Sequence, residues 1–201
     1  ADSSRHVRAF SRTMTQDVEV SIDEGASSKP NVREVLVVLA GLPGTGKTTV
    51  GRLLARRLRA AYLRADVIAS PLLLEGLTED DAEAGRVAYG IAREVAIENL
   101  RAGVPVVVDG VHATHERRAM WRDVAETTNT RLVQLEMTLD DEAEHRRRAE
   151  KREAPTWQQI LDMAYDDWSE TPDGRRLLVD TSETDTALAR CLTYVATADR
   201  L

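Results

Sequence analysis

The sequence predicts an α/β protein of three layers, a five-stranded parallel sheet with helices on both faces. Three observations carry this reading. Strand-like segments alternate with amphipathic helical segments along most of the chain. Two of the strand segments, VLVVLA at Val35–Ala40 and the valine run at Val104–Val108, are apolar without alternation, as expected of strands covered on both faces. A glycine-rich octapeptide also separates the first strand from the first helix.

The elements follow in chain order. Residues 1–32 are rich in Ser, Asp, Arg and Thr and lack periodicity, so they read as a flexible arm. Within it Val18–Ile22 reads as a short strand and Gly25–Pro30 as a linker. The folded domain is expected over 33–201. Thr48–Leu58 sets Val50, Leu53, Leu54 and Leu58 on one helical face. Ala61–Ala65 reads as a short strand. Gly85–Ala102 reads as a long helix with Ala88, Ile91, Ala92, Val95 and Leu100 near one stripe. Glu116–Thr127 is helical and Arg131–Leu139 a strand. Glu142–Lys151 and Thr156–Ser169 read as helices, and together they suggest a helical lid over about 142–172. Arg176–Asp180 is the last strand and Thr184–Thr197 the last helix.

Composition narrows the function classes. The chain has 201 residues, 34 acidic and 27 basic side chains, and a formal charge of −7. That balance argues against a surface built for non-specific nucleic-acid binding. Aromatic residues make up only 4%, which disfavours a base-stacking platform. The single cysteine, Cys191, lies in an apolar stretch and reads as an ordinary buried residue. No apolar run approaches the roughly 20 residues of a membrane span, and no signal-peptide core is evident. A cytoplasmic protein without a membrane partner is the expectation.

The chemistry begins at Gly41, Leu42, Pro43, Gly44, Thr45, Gly46, Lys47 and Thr48, followed by Thr49. The octapeptide fits G-x-x-x-x-G-K-[ST] between a buried strand and a helix, the context that confirms the motif. Its glycines let backbone N–H groups converge on phosphate oxygens, and the helix N-terminus adds partial positive charge. Lys47 suits the β and γ phosphates, and the Thr48 hydroxyl suits Mg²⁺. The pattern says nucleoside triphosphate without saying what becomes of it.

Ligands of open α/β sheets sit beyond the carboxyl ends of the strands. Asp66 follows the second strand and reads either as the acceptor of a substrate-hydroxyl proton or as a helix N-cap. Asp109 ends the third strand after a run of buried valines, where an Asp is costly without a task. Holding the water shell of Mg²⁺ or positioning the acceptor would be such a task, and a turn before Gly110 is the plainer alternative. His112, Thr114 and His115 follow at the mouth of the same crevice. His112 or His115 is a candidate substrate contact, Thr114 an N-cap, and Arg117 and Arg118 are cations either solvated or within reach of an anionic group. No nearby Cys or carboxylate completes a zinc spacing.

Downstream, Arg146–Arg152 packs five basic residues into seven positions. Arg148 and Arg152 are i,i+4 neighbours that could lie over a transferring phosphoryl group, or belong to a solvated, ion-paired helix. Trp157, Tyr165 and Trp168 read as lid packing or as an acceptor wall. Asp180, Thr181 and Ser182 end the last strand near where a nucleotide base would rest.

From about Val35 to Thr181 the chain resembles the small P-loop kinases of the AAA_33 group, whose relatives include gluconate kinase, chloramphenicol phosphotransferase, zeta-toxin-like kinases and the kinase domain of polynucleotide kinase. The resemblance rests on GLPGTGKTT, the strand followed by Asp66, AYGIAREVAIENLRAGVPVVVDG, R-x-x-x-R at Arg148 and Arg152, and the DTS at Asp180–Ser182. It implies the three-layer P-loop NTPase fold and an ATP- and Mg²⁺-dependent phosphotransferase acting on a hydroxyl of a small molecule. It also implies Asp66 as catalytic base, Asp109 as the strand-three carboxylate, and Arg152 with Arg148 as the lid arginines. One departure matters. The polynucleotide kinases carry an Arg three residues beyond the catalytic Asp, and here Ala69 stands there. That weakens a nucleic-acid 5′-hydroxyl acceptor. The acidic and apolar stretch Ser70–Glu83 suits an uncharged or cationic acceptor. The alternatives are a nucleic-acid kinase using the basic island and a regulatory ATPase without an acceptor.

Overall fold

Six consecutive apolar residues form β1 (Val35–Ala40), and all six are buried. Alternate side chains of β1 enter different halves of the core. Val35, Val37 and Leu39 pack on one side with Val50 and Leu54, while Leu36 and Val38 pack on the other with Ala92, Ala96 and Trp121. A strand that must satisfy both halves cannot alternate with polar residues. The computed structural model describes residues 35–151, 155–169 and 174–198. The segment read as an N-terminal arm, with the strand expected at Val18–Ile22, and Arg152 lie outside those residues.

The elements run β1, α1 (Lys47–Leu58), β2 (Ala61–Arg64), α2 (Ala65–Leu74), α3 (Asp81–Arg101), β3 (Val106–Asp109), α4 (His115–Thr128), β4 (Arg131–Thr138), α5 (Glu142–Ala149), α6 (Trp157–Leu161), β5 (Leu177–Asp180) and α7 (Thr184–Thr197). The five strands form one parallel sheet in the order β2-β3-β1-β4-β5. The phosphate loop thus leaves the central strand, between the ends of β3 and β4. Cys191 on α7 is fully buried, and burial pushes its thiol up to about 12.

Four differences from the sequence reading have local causes. Ala65 opens α2 rather than ending β2, and α2 runs on to Leu74, into the start of the acceptor stretch Ser70–Glu83. The long helix begins four residues early, because the Asp80 side chain caps it by accepting from the N–H groups of Ala82 and Glu83. Its buried face is the alanine row Ala84, Ala88, Ala92 and Ala96 with Ile97 and Leu100, so Ile91 and Val95 are exposed and do not belong to the core stripe. Small side chains let α3 approach the sheet closely. The expected helix Thr156–Ser169 stops at Leu161. Beyond it, Arg118 donates to the carbonyls of Asp166 and Asp167 at 3.2 and 3.4 Å, and Asp166 N–H donates to Ala113 O at 2.8 Å. Those groups are spent on α4 and its approach rather than on a helical ladder.

Candidate active site

The loop between β1 and α1 is built from backbone geometry that only glycine adopts freely. Gly41, Gly44 and Gly46 have φ of 130°, 88° and 82°. A Cβ on Gly41 would lie 2.3 Å from Met137 O, and one on Gly46 would lie 3.0 Å from the Thr181 hydroxyl. Thr181 is buried and donates to Thr45 O at 2.7 Å and Thr138 O at 3.0 Å, so the end of β5 braces the loop. Lys47 is buried along its length, and its Nζ donates to Gly41 O and Leu42 O at 2.7 and 2.6 Å. Its charge is thereby kept at the loop.

Asp109 collects the neighbouring elements. Its Oδ2 accepts from Thr48 Oγ1 at 2.8 Å and from Tyr62 OH at 2.7 Å, and Arg64 Nε lies 3.3 Å away. The pairing of β2 with β3 explains the last contact, since Arg64 stands opposite Asp109 in the register. Arg64 then reaches Asp66 Oδ2 at 3.4 Å with its other nitrogen. One guanidinium therefore ties the two sequence-predicted carboxylates together. Burial, then the Asp109 charge, raises the Tyr62 hydroxyl well above its ordinary range, so it remains a donor to Asp109.

Asp66 is the second residue of α2, not its N-cap, and its side chain is 60% exposed. It opens onto a cleft of about 1010 Å³ whose described lining includes Gly44, Gly46, Lys47, Thr48, Asp66 and Asp109. Thr49, Arg148 and Thr181 also line it. Arg148 on α5 donates to Thr181 O at 3.2 Å and pairs with Glu144 at 2.7 Å, which places it on the β5 side of the cleft, away from Asp66. The oxygens of Thr48 and Asp109 are hard donors side by side. No cluster of three or more His, Cys, Asp or Glu suited to a metal occurs among the described residues. Such a donor set fits Mg²⁺, which uses one or two protein oxygens and takes the rest of its shell from water and phosphates.

Several sequence-predicted residues do other work. His112 is fully buried and accepts from Trp121 Nε1 at 3.1 Å, edge-on to Tyr89 and Trp121, so it is a core residue rather than a cleft contact. Burial, then the charges of Lys47, Arg117 and Arg118, depresses its pKa to about 3. Arg117 stacks on the Tyr89 ring at 4.0 Å and is not among the described lining residues. The Asp180 carboxylate accepts from Ser182 and from Asp140 N–H and shapes the turn after β5; the Ser182 bond foremost holds its pKa down. Trp168 stacks on Arg118 and Arg176, while Trp157 lies edge-on to His145 at 5.0 Å. Both pack. Sequence reasoning missed Tyr62 and Arg64, which only the β2–β3 register reveals. It also missed His145, whose Nε2 donates to Pro43 O at 2.8 Å and seats α5 on the loop.

The AAA_33 family, described as an AAA domain, matches residues 36–170. The chain belongs to this family. Among its relatives, a UPF0200 protein of Pyrobaculum aerophilum is 35% identical over 91 residues, covering 42% of this chain and 51% of that protein. A shikimate kinase of Thermobifida fusca is 36% identical over 121 residues, covering 58% of this chain and 63% of that enzyme. The chain thus spans less than two thirds of either relative's length. In fold, the AAA_33 chain is similar to a gluconokinase from Sinorhizobium meliloti, with a TM-score of 0.57 at 20% identity over 81% of this chain and 92% of that one. It is a kinase-like P-loop NTPase, and no described helix is long and apolar enough to cross a membrane.

Proposed function

We propose that this protein transfers the γ-phosphoryl group of ATP to a hydroxyl of a small molecule, with Thr48 and Asp109 as the residues that would hold Mg²⁺. The observation that carries the reading is the placement of Asp66 in the same cleft as the phosphate loop and Asp109. In the step, the acceptor oxygen bonds to Pγ as the bond from Pγ to the bridging oxygen breaks, and Asp66 takes the hydroxyl proton. Lys47 and the loop N–H groups hold the phosphates. Arg148 closes the nucleotide side, and Arg152 is assigned to the transferring group by resemblance alone. The likeness to shikimate kinase and to a gluconokinase supports a small-molecule acceptor without choosing one. Mg²⁺ supplies charge neutralisation at the phosphates when bound.

The test is a panel of sugars, nucleosides and antibiotic-like alcohols with labelled ATP. Asp66→Asn is expected to lose transfer by about 10²-fold or more while keeping nucleotide binding. Lys47→Ala is expected to abolish transfer. Wild-type turnover in Asp66→Asn would remove the base assignment, and undiminished transfer in Lys47→Ala would remove the scheme.

A further inference from the structure

α2 is the anomaly of the molecule. Its sequence, ADVIASPLLL, is predominantly apolar, yet of its residues only Ala65 is buried. Val67 is 57% exposed and Leu74 81%. Ile68 packs toward the core, so the helix is anchored along one side. The residues it turns into the cleft are Asp66, Ala69, Ser70, Leu73 and Leu74. Their spacing is i, i+3, i+4, i+7 and i+8, a single continuous helical face. The face begins at the carboxylate and ends in two leucines, over roughly 12 Å at 1.5 Å per residue. The lining of the cleft also includes Pro155 and Met163, which are apolar, with Gln159. An apolar wall beside a phosphate site has no use for the triphosphate.

From this we infer that the acceptor is an amphipathic alcohol, with its hydroxyl at Asp66 and an apolar body lying along Ala69, Leu73 and Leu74, rather than a compact polyol. The inference rests on the kinase reading above. A compact polyol would leave its own hydroxyls against leucine methyl groups, where they find no partners. An apolar body gains about fourfold in binding for each methylene it buries. The cleft volume of about 1010 Å³ lies at the top of the roughly 300–1,000 Å³ range of single-ligand sites, which leaves room for such a body beside a nucleotide.

The experiment uses the full chain with MgATP and a series of ω-phenylalkanols from phenylethanol to phenylpentanol, against gluconate and shikimate. Label transfer and saturation-transfer NMR binding are both read. The expected result is a kcat/KM that climbs about fourfold per added methylene and exceeds that of either polyol acid. Leu74→Asn flattens this gradient with the KM for MgATP unchanged within about twofold. Because Leu74 is so exposed, its melting temperature stays that of the wild type. A flat series, or better transfer to gluconate or shikimate, overturns the acceptor class while the kinase reading stands. Transfer to no compound, with MgATP bound, removes the kinase reading and the acceptor class with it. Dissociation of a dimer by Leu74→Asn in sedimentation would make this face a protein interface and also overturn the inference.

Discussion

At the scale of the residue, burial holds particular groups of the core in particular protonation states. His112 is the clearest case. It is neutral in the fold, with a pKa near 3, whereas an unfolded chain offers an ordinary value of about 6.5. The unfolded form therefore takes up a proton that the folded form refuses. Stability is full above about pH 6.5 and declines as pH falls from there toward 3, at about 1.4 kcal/mol per pH unit from this group. His112→Gln keeps an acceptor for Trp121 but does not titrate. It is expected to be less stable at neutral pH and to show a shallower loss on acidification, in urea unfolding from pH 7 to pH 5. Equal slopes in the two proteins would show that His112 is not the group excluded from protonation. The same residue shows how far local reading goes. A histidine three residues after a strand-end Asp reads as a substrate contact, and at this residue the backbone is left-handed, φ 50°, with the side chain in the core.

At the scale of the element, packing decides questions that propensity alone answers wrongly. Gly51 sits inside α1, where alanine is ordinarily better by about 1 kcal/mol. A Cβ there would lie 2.5 Å from Leu39 Cδ1 and 3.1 Å from the Tyr62 ring. Leu39 is fully buried and has nowhere to retreat. Overpacking of this kind costs about 1–3 kcal/mol, so against the propensity gain Gly51→Ala is expected to destabilise by up to about 2 kcal/mol, measured by urea unfolding at neutral pH. Stabilisation would mean that the helix moves off the sheet at little cost. The wider comparison follows the same division. β1, α1, β4 and α7 were legible because one periodicity dominates each. That the phosphate loop, Asp66 and Asp109 share one cleft was legible because it follows from short spacing and position at strand ends. α2 was not, since Pro71 and a leucine run obscure any polar face. The end of α6 was not either, because Arg118 from another element takes the carbonyls of Asp166 and Asp167. Arg64 and Tyr62 needed the strand register, a property of two segments more than 40 positions apart.

At the scale of the molecule, the phosphate loop is the point on which separate parts of the fold converge. β1 delivers it, and α1 leaves it. The Met137 carbonyl of β4 limits Gly41, Thr181 after β5 braces Thr45 and Gly46, and His145 of α5 holds Pro43. Gly41 N–H also donates to Val111 O beyond β3 at 3.2 Å. A ligand on this loop therefore binds contacts that unfolding of any one of those elements would break, and it stabilises the folded state as a whole. At a concentration of 100 times its dissociation constant the linkage is about 2.7 kcal/mol, which for a chain of this size corresponds to roughly 5–10 °C in melting temperature. MgATP is expected to give that shift in the wild type by calorimetry. Lys47→Ala should remove it. His145→Ala should give a smaller shift at equal MgATP, because its loop must be ordered partly at the expense of binding energy. An undiminished shift in His145→Ala would mean that α5 packs against the loop without organising it, and its coupling to the phosphate site would then run through contacts such as the Arg148 bond to Thr181 O.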